Sequence, residues 1–269
     1  MMQIRSGESI RWNKKGTNGM CLIALAHQAH PWFPLVVVSN RDEFLERPTK
    51  RLHMWQGEGI IAGKDLKQGG TWMGGSLSGR FAAVTNIRRP GMEAGEKSRG
   101  HLPLRFLRNE TKQALEAVQK DRNEYRGFNM IAGSGKEVFY LHNHKDGPHV
   151  ERLTPGVHAL SNASLNTPWP KVEKAKKQIE TLLASSENTL HPESFFTAMR
   201  NAEPAADQDL PDTGIDKQLE KQLSSMFIDL PEYKTRCQTL FTVRKDGKIT
   251  MIERMTDART GTGRYEWHV

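Results

Sequence analysis

Polar side chains close three apolar segments of this sequence, so amides and charged groups stand where buried strands are expected to end. The tetrapeptide Asn-Arg-Asp-Glu at 40–43 follows the run LVVVS, Asn86 closes FAAVT and Asn162 closes VHALS. Asn and Asp also end strands simply because they favour turns. Three such ends in succession, together with Cys21 on a neighbouring apolar run, favour a functional site over three unrelated turns.

Cys21 directly follows Met20 at the start of the apolar run CLIALAH. An initiator methionine is removed before a small residue, so translation from Met20 would leave Cys21 as the first residue. Its α-amine would then have a pKa of about 7.7–8.0, against about 10.4 for a lysine amine. Such an amine takes the thiol proton at neutral pH, and the thiolate attacks a carbonyl carbon. The alternative is that Cys21 is a small hydrophobic residue of a core strand.

Five polar residues supply the other roles that this chemistry needs. The side-chain amides of Asn86 and Asn162 can donate to a developing oxyanion, where each donor contributes about 3–4 kcal/mol. Asp42 can accept a hydrogen bond from the α-ammonium and orient it. Arg41 or Arg236 can lower the pKa of the thiol by its charge. These five residues and the cysteine form the predicted catalytic site.

Other motifs carry weaker signals. The sequence lacks H-E-x-x-H, C-x-x-C, G-x-S-x-G and P-loop patterns. His142 and His144 would share one face of a strand and could hold a metal with His149, but a solvated strand end explains them as well. The glycines of GGTWMGGSLSG could cradle phosphate, but tight turns between short strands explain them more simply. The sequence therefore predicts no metal and no cofactor.

Apolar periodicity predicts two batches of strands with helices attached. The runs CLIALAHQAH and PLVVVSNRDEF lack polar alternation, so they are expected to form a hairpin covered on both faces. Helices are predicted from Leu102 to Arg122, with a break near Asn109, and over the segments TPWPKVEKAKKQIETLLASS and HPESFFTAMRN. TLFTVRKDGKITMIERM is predicted to be a hairpin, and GRYEWHV an edge strand. The predicted fold class is α+β, a layered sandwich.

Length and charge limit the function classes. The chain has 269 residues and a formal net charge of +8. No segment approaches the ~20 apolar residues of a membrane span, and the scattered basic residues match no nucleic-acid motif.

Two cysteines argue against a disulfide scaffold and favour a cytoplasmic location. Residues 1–19 lack a secretory signal, so we expect a disordered tail or an over-extended start, with one domain over residues 20–269.

Four motifs in order, MCLIALAH, VVVSNRDEF, GGTWMGGSLSGRFAAVTNIR and ALSNASLNTPWPKV, resemble the NRDE family of transport and Golgi organisation proteins. The resemblance covers Met20 to Val269. That family is in turn similar to N-terminal-nucleophile (Ntn) hydrolases of the choloylglycine hydrolase and penicillin V acylase group. The resemblance therefore implies a four-layer αββα sandwich and the hydrolysis of linear amide bonds.

The resemblance also carries over residue by residue to the predicted site. The matching positions are Cys21 for the terminal nucleophile, Arg41 and Asp42 for the pair beside the amine, Asn86 and Asn162 for the oxyanion hole, and Arg236 for a late arginine. The spacing between Arg41 and Asp42 is shorter here than in those hydrolases. Which of the two faces Cys21 is therefore open at this point.

The residues and the family resemblance together imply two functions, of which the second is implied by the resemblance, since members of the family have been linked to haem trafficking and to lipid or acyl-CoA handling. The first is an N-terminal-cysteine hydrolase that cleaves a linear amide C–N bond of a small molecule. The second is a non-catalytic binding or trafficking protein for haem, acyl-CoA or lipid ligands on the same fold. The basic balance and the tryptophans at 32, 55, 72 and 169 suit an anionic amphipathic ligand. A third option is nucleic-acid binding driven by the net charge, which no motif supports. The first two functions require neither nucleic acid nor a membrane span, and the substrate and the oligomeric state are open.

Overall fold

A computed structural model describes residues 21–88, 95–144, 149–256 and 261–269. The predicted tail, residues 1–19, and the proposed start at Met20 lie outside these described residues.

Two antiparallel sheets form the middle of the described structure. The strands are β1 (Cys21–His27), β2 (Leu35–Phe44), β3 (Thr49–Trp55), β4 (Ile60–Asp65), β5 (Met73–Ser76), β6 (Phe81–Asn86), β7 (Phe128–Gly133), β8 (Val138–His142), β9 (Val150–Arg152), β10 (Gly156–Leu160), β11 (Tyr233–Val243), β12 (Lys248–Met255) and β13 (Thr262–His268). Sheet A has the order β10-β1-β2-β11-β12-β13, and sheet B runs from β3 to β9 in sequence order. The predicted β1–β2 and β11–β12 hairpins and the edge strand β13 are confirmed.

Helices cover the outer face of each sheet. They are α1 (His101–Arg108), α2 (Thr111–Asp121), α3 (Pro170–Ala184), α4 (Pro192–Ala198) and α5 (Lys217–Gln222). The first two pack through an apolar cluster on sheet B, and α3 and α4 pack on sheet A. The predicted break between α1 and α2 occurs at Asn109, which has an extended backbone. Proline begins both α3 and α4, where its missing N–H costs nothing.

The continuous apolar runs of β1 and β2 follow from burial on both faces. Ile23 and Leu25 point into the core between the sheets, where the rings of Phe81 and Phe241 stack at 5.7 Å. Leu22 and Ala24 point the other way, against α3 and α4. Alternate residues of one strand therefore meet a sheet on one side and helices on the other. The predicted αββα sandwich is confirmed.

Strand β10 lies apart from the strands that precede it in sequence. The chain builds β7, β8 and β9 into sheet B and then crosses to the edge of sheet A, where β10 pairs with β1. Leu160, the last residue of β10, lies opposite Ile23. The residues after Leu160 therefore run past the start of β1, which brings Asn162 towards Cys21.

Candidate functional site

A cleft of about 690 Å³ opens where β1 begins and β2 and β6 end. Its lining includes four of the predicted site residues, Cys21, Arg41, Asp42 and Asn86. They meet because antiparallel pairing puts the start of β1 beside the end of β2, with Cys21 directly opposite Arg41. The predicted residues of these three strands thus come together at one edge of the sandwich.

Cys21 is a partly exposed free thiol on the lining of the cleft. Burial of the sulfur and, to a smaller extent, the nearby Asp42 carboxylate raise the pKa of the thiol to about 12. The Arg41 charge and the backbone N–H of Asp42 oppose this rise. In the 269-residue chain the nitrogen of Cys21 is bonded to Met20, so it offers no amine that could take the thiol proton.

Arg41 shares a sheet face with Cys21, because directly opposed residues of an antiparallel pair point to the same side. Its guanidinium lies over the indole of Trp72 at 4.1 Å and donates to the hydroxyl of Thr49 at 3.3 Å. A nitrogen of Arg41 also lies 3.9 Å from the Glu43 carboxylate. These contacts fix the cation beside the thiol.

Asp42 points to the opposite, helix-covered side of sheet A, and its backbone N–H is the group that reaches the sulfur. Its carboxylate accepts a hydrogen bond of 2.5 Å from the hydroxyl of Thr235. Burial raises the pKa of Asp42, while the Thr235 hydrogen bond and the charge of Lys171 oppose that rise. Of these two neighbouring residues, Arg41 is therefore the one whose side chain faces Cys21, and Asp42 contacts Cys21 through its backbone N–H.

Asn162 is buried directly behind the cleft and is held to the end of β6. The side-chain amide nitrogen of Asn162 donates to the backbone oxygen of Asn86 at 2.9 Å, and the backbone oxygen of Asn162 accepts from the backbone N–H of Arg88 at 2.9 Å. The hydroxyl of Ser161 donates to the Asn162 side-chain oxygen and lies 3.4 Å from the backbone oxygen of Cys21. The two asparagines therefore form one hydrogen-bonded unit beside the cysteine.

Arg236 holds a turn and is not among the residues that line the cleft. It lies at a bulge in the pairing of β11 with β2. Its guanidinium donates to the backbone oxygen of Phe44 at 2.8 Å and reaches the backbone oxygens of Leu45 and Arg47 at 3.3 Å each. These contacts give Arg236 a role in shaping the rim, and its predicted influence on the thiol stays a prediction.

Three residues near the site were missed by the sequence analysis. Lys171 is buried in the first turn of α3, with its ammonium donating to the backbone oxygen of Leu223 at 2.9 Å. Burial lowers the pKa of Lys171, as does the charge of Arg88, while Asp42 raises it. The other two are Thr235, whose hydroxyl donates to Asp42, and Arg99, which lines the cleft. The local sequence does not mark these residues as functional, because Lys171 lies in a lysine-rich helix and the other two lie in segments without a distinctive motif.

The three histidines considered as metal ligands do come together at one edge of sheet B. The ring of His142 lies 4.7 Å from that of His144 and 5.4 Å from that of His149. The described residues nevertheless contain no group of three His, Cys, Asp or Glu side chains with the geometry to hold a metal ion. His144 instead contacts Asn129 at 3.0 Å.

Comparisons with known proteins agree with this architecture. The chain is similar to the crystal structure of a mutant conjugated bile acid hydrolase from Clostridium perfringens, with a TM-score of 0.53 and 8% identity over 92% of each chain. This likeness shows the fold of Ntn-hydrolase type. Within the described residues, no helix has the length and apolar character needed to cross a membrane.

Sequence relatives give the family. The chain is 30% identical to the human Transport and Golgi organization protein 2 homolog, over 87% of this chain and 92% of that protein. It is 31% identical to the mouse Transport and Golgi organization 2 homolog, over 92% and 99% respectively. Residues 20–258 match the family model described as Transport and Golgi organisation 2. The chain therefore belongs to the Transport and Golgi organisation 2 family.

Proposed function

We propose that this protein is an N-terminal-cysteine hydrolase that cleaves a linear amide C–N bond of a small molecule. The observation that carries the proposal is the position of Cys21, which begins β1 on the lining of a cleft and lies opposite Arg41. Asp42 and Asn86 line the same cleft, and Asn162 is hydrogen-bonded to Asn86. A nucleophile, a charged orienting pair and amide donors are the parts that acyl transfer requires.

Activity requires that Cys21 become the first residue. With its nitrogen in a peptide bond, the thiol has a pKa of about 12 and a negligible thiolate fraction at neutral pH. A free α-amine supplies a base whose pKa lies near neutrality. The family match begins at Met20, which supports translation from that methionine and its removal before the small cysteine.

Acylation begins when the α-amine of Cys21 accepts the thiol proton. The sulfur then bonds to the amide carbon, and the carbonyl oxygen becomes an oxyanion that Asn86 and Asn162 stabilise through N–H donors. The C–N bond breaks as the ammonium returns its proton to the leaving nitrogen. An amine departs, and the acyl group stays on Cys21 as a thioester.

Deacylation reverses these roles with water as the nucleophile. The free α-amine takes a proton from water, and the hydroxide oxygen bonds to the thioester carbon. The C–S bond breaks, the carboxylic acid leaves, and the thiolate recovers its proton from the ammonium. The sum is one amide and one water converted to one acid and one amine. The Asp42 carboxylate, whose charge acts on Cys21, favours the ammonium form of the amine electrostatically.

The test compares a chain that begins at Cys21 with the 269-residue chain on a panel of acyl p-nitroanilides. The shorter chain is expected to release p-nitroaniline and to carry the acyl mass on Cys21 when the reaction is quenched in acid. The longer chain is expected to be about 10²–10⁴-fold slower, which is the usual contribution of a positioned base.

Cysteine variants provide the control. Cys21→Ala should abolish both the release and the adduct, and Cys237→Ala should retain them, because Cys237 is a buried thiol outside the cleft lining. Equal labelling of Cys21→Ala and the unchanged chain would rule out Cys21 as the nucleophile.

A ligand carrier is the second candidate function, and the high thiol pKa of the 269-residue chain favours it. The name of the relatives, which refers to transport, points the same way. Stoichiometric binding of haem or an acyl-CoA, with no turnover of any amide by the chain that begins at Cys21, would establish it. In either function we propose a cytoplasmic location, since both cysteines are free thiols.

A further inference from the structure

One wall of the cleft is a short segment, residues 95–100, that leads into α1. It lies parallel to residues 124–127, with a bridge between Lys97 and Tyr125 and a hydrogen bond of 3.0 Å from the Lys97 backbone N–H to the Glu124 oxygen. Arg99 continues this pairing through a side-chain nitrogen, which donates to the Gly127 oxygen at 3.0 Å. We call this segment the 95–100 wall.

Glycines fix the 95–100 wall at both ends. A Cβ at Gly95 would overlap the backbone of Tyr125, and a Cβ at Gly70 would lie 2.5 Å from the carbonyl carbon of Gly100. The backbone N–H of Thr71 closes the second contact by donating to the Gly100 oxygen at 2.9 Å. The wall therefore holds its side chains in place against both neighbouring segments, as a preorganised binding surface must.

The cations of this cleft divide into two groups. Arg41, Arg47 and Lys97 have carboxylate partners in Glu43, Asp65 and Glu124. Within the described part of the chain, Arg99 and Arg126 have no carboxylate within 4 Å, although both line the cleft. The exposed Lys67, at the rim, is likewise without one, and the exposed Glu96 is the acidic residue of the wall itself.

Arg99 carries its charge at a cost that an incoming anion would offset. Burial and the charge of the neighbouring Arg126 together lower the pKa of its guanidinium to about 10, against the opposing charge of Glu43. Of its five N–H donors, the contact with Gly127 uses one. The charge of Arg99 also acts on Cys21, so the two groups lie within one electrostatic site.

We propose that Arg99 and Arg126 form a subsite for an anionic oxygen group, a carboxylate in the first instance, on the molecule that reacts at Cys21. The inference rests on the proposed function and narrows its substrate class to amides that carry a negative charge near the scissile bond. A guanidinium binds two oxygens of a carboxylate or phosphate through parallel N–H donors, which suits this pair.

The test uses two alkylating reagents of the same shape and different charge, iodoacetate and iodoacetamide. In both, the Cys21 sulfur bonds to the CH₂ carbon and iodide leaves, so each rate depends equally on the thiolate fraction. The ratio of the two rates cancels the thiol pKa and reports on the recognition of the anion alone. It is measured on the full 269-residue chain by intact mass and divided by the same ratio for free cysteine.

The unchanged chain is expected to favour iodoacetate about tenfold or more over free cysteine, in line with electrostatic focusing in a charged cleft, and added salt should reduce the preference. Arg99→Gln and Arg126→Gln should each lower this ratio about tenfold. The matched control is Arg152→Gln, which removes the same charge from an exposed side chain on edge strand β9.

Two results would overturn the subsite: an equal ratio in all three variants, or equal slowing of both reagents by Arg99→Gln with no change in the ratio. Arg126 is exposed, so its variant is expected to fold even if Arg99→Gln does not. Because alkylation needs no free α-amine and no turnover, a retained iodoacetate preference, with no amide cleavage by the chain that begins at Cys21, would refute the hydrolase proposal and leave the subsite standing.

Discussion

Lys171 lies buried behind the site, where its charge acts on Asp42 from the helix side of sheet A. The same region contains a second buried pair, Arg88 with Glu220, whose carboxylate also accepts from Thr213. A buried ammonium is costly unless it is hydrogen-bonded and near opposite charge. Lys171 has both, through the Leu223 oxygen and the two carboxylates. We infer that it is a positioning residue whose charge favours the ionised form of Asp42.

Replacing Lys171 by Met should destabilise the protein by about 1–3 kcal/mol, since the Leu223 oxygen loses its donor. The loss should be larger at pH 8 than at pH 5. Burial raises the pKa of Asp42, so at pH 5 the folded protein holds the carboxyl partly protonated and needs less countercharge. Urea unfolding at both pH values measures this, with the half-exposed Lys174→Met as control. A loss that is equal at both pH values would contradict the coupling.

The sequence was informative about residues that end strands and uninformative about residues that meet across the fold. Cys21, Asp42 and Asn86 could be singled out because a polar residue at the end of an apolar run is visible locally. Lys171 could not, because it is one of four lysines in α3 and only the fold shows which of them is buried. Arg99 depends on residues 124–127 for its place, so no local pattern marks it.

At the scale of elements, the segment after β10 is held by two strands of the opposite sheet. The hydroxyl of Thr85 on β6 donates to the Ser161 oxygen at 2.7 Å, and the amide of Asn129 on β7 donates to the Ala163 oxygen at 2.8 Å. The Tyr140 hydroxyl in turn donates to Asn129 at 2.6 Å. These contacts bracket Asn162 on both sides. Asn162 follows a strand of sheet A, and side chains of sheet B thus hold it in place.

Thr85→Val should therefore loosen Asn162 without removing any group of the site. The Ser161 oxygen would lose its buried donor, at a cost of about 1–3 kcal/mol. Hydrogen exchange of the Arg88 amide, which donates to the Asn162 oxygen, should accelerate. Thr250→Val, whose hydroxyl contacts Glu266 on the exposed side of sheet A, is the control. An unchanged hydrogen-exchange rate of the Arg88 amide in Thr85→Val would show that the Thr85 hydrogen bond does not hold Asn162 in place.

Two elements escaped the sequence analysis for physical reasons. Strand β3 is mostly polar and its pairing with β4 shifts register between Lys50 and His53, so it shows no regular alternation. Helix α5 has six residues, too few for a helical period to stand out, and begins at the Asp216 cap. Strand β1 and the first half of β2 could be predicted because burial on both faces makes them apolar, and the second half of β11 could be predicted from its hairpin with β12.

At the scale of the whole molecule, a buried carboxylate ties the two sheets together. Glu253 on β12 faces the space between the sheets and accepts the backbone N–H of Leu52, on the edge strand β3 of sheet B, at 2.6 Å. Burial raises the pKa of Glu253, while hydrogen bonds from the Leu52 N–H and from Cys237 oppose the rise. Leu52 and Glu253 are 201 positions apart, so this link is invisible in sequence.

Glu253→Leu should cost about 1–3 kcal/mol, because the Leu52 N–H would be left buried without an acceptor. Glu253→Gln keeps an acceptor oxygen and should cost less. Because the folded pKa is raised, the folded state binds a proton that the unfolded chain releases, so this carboxyl loses stabilising effect as pH rises above about 4.5. The stability advantage of the unchanged protein over Glu253→Gln should therefore shrink from pH 4.5 to pH 8 in denaturant unfolding. A stability advantage over Glu253→Gln that grows with pH would mean that the ionised Glu253 carboxylate links the two sheets more strongly than the protonated form.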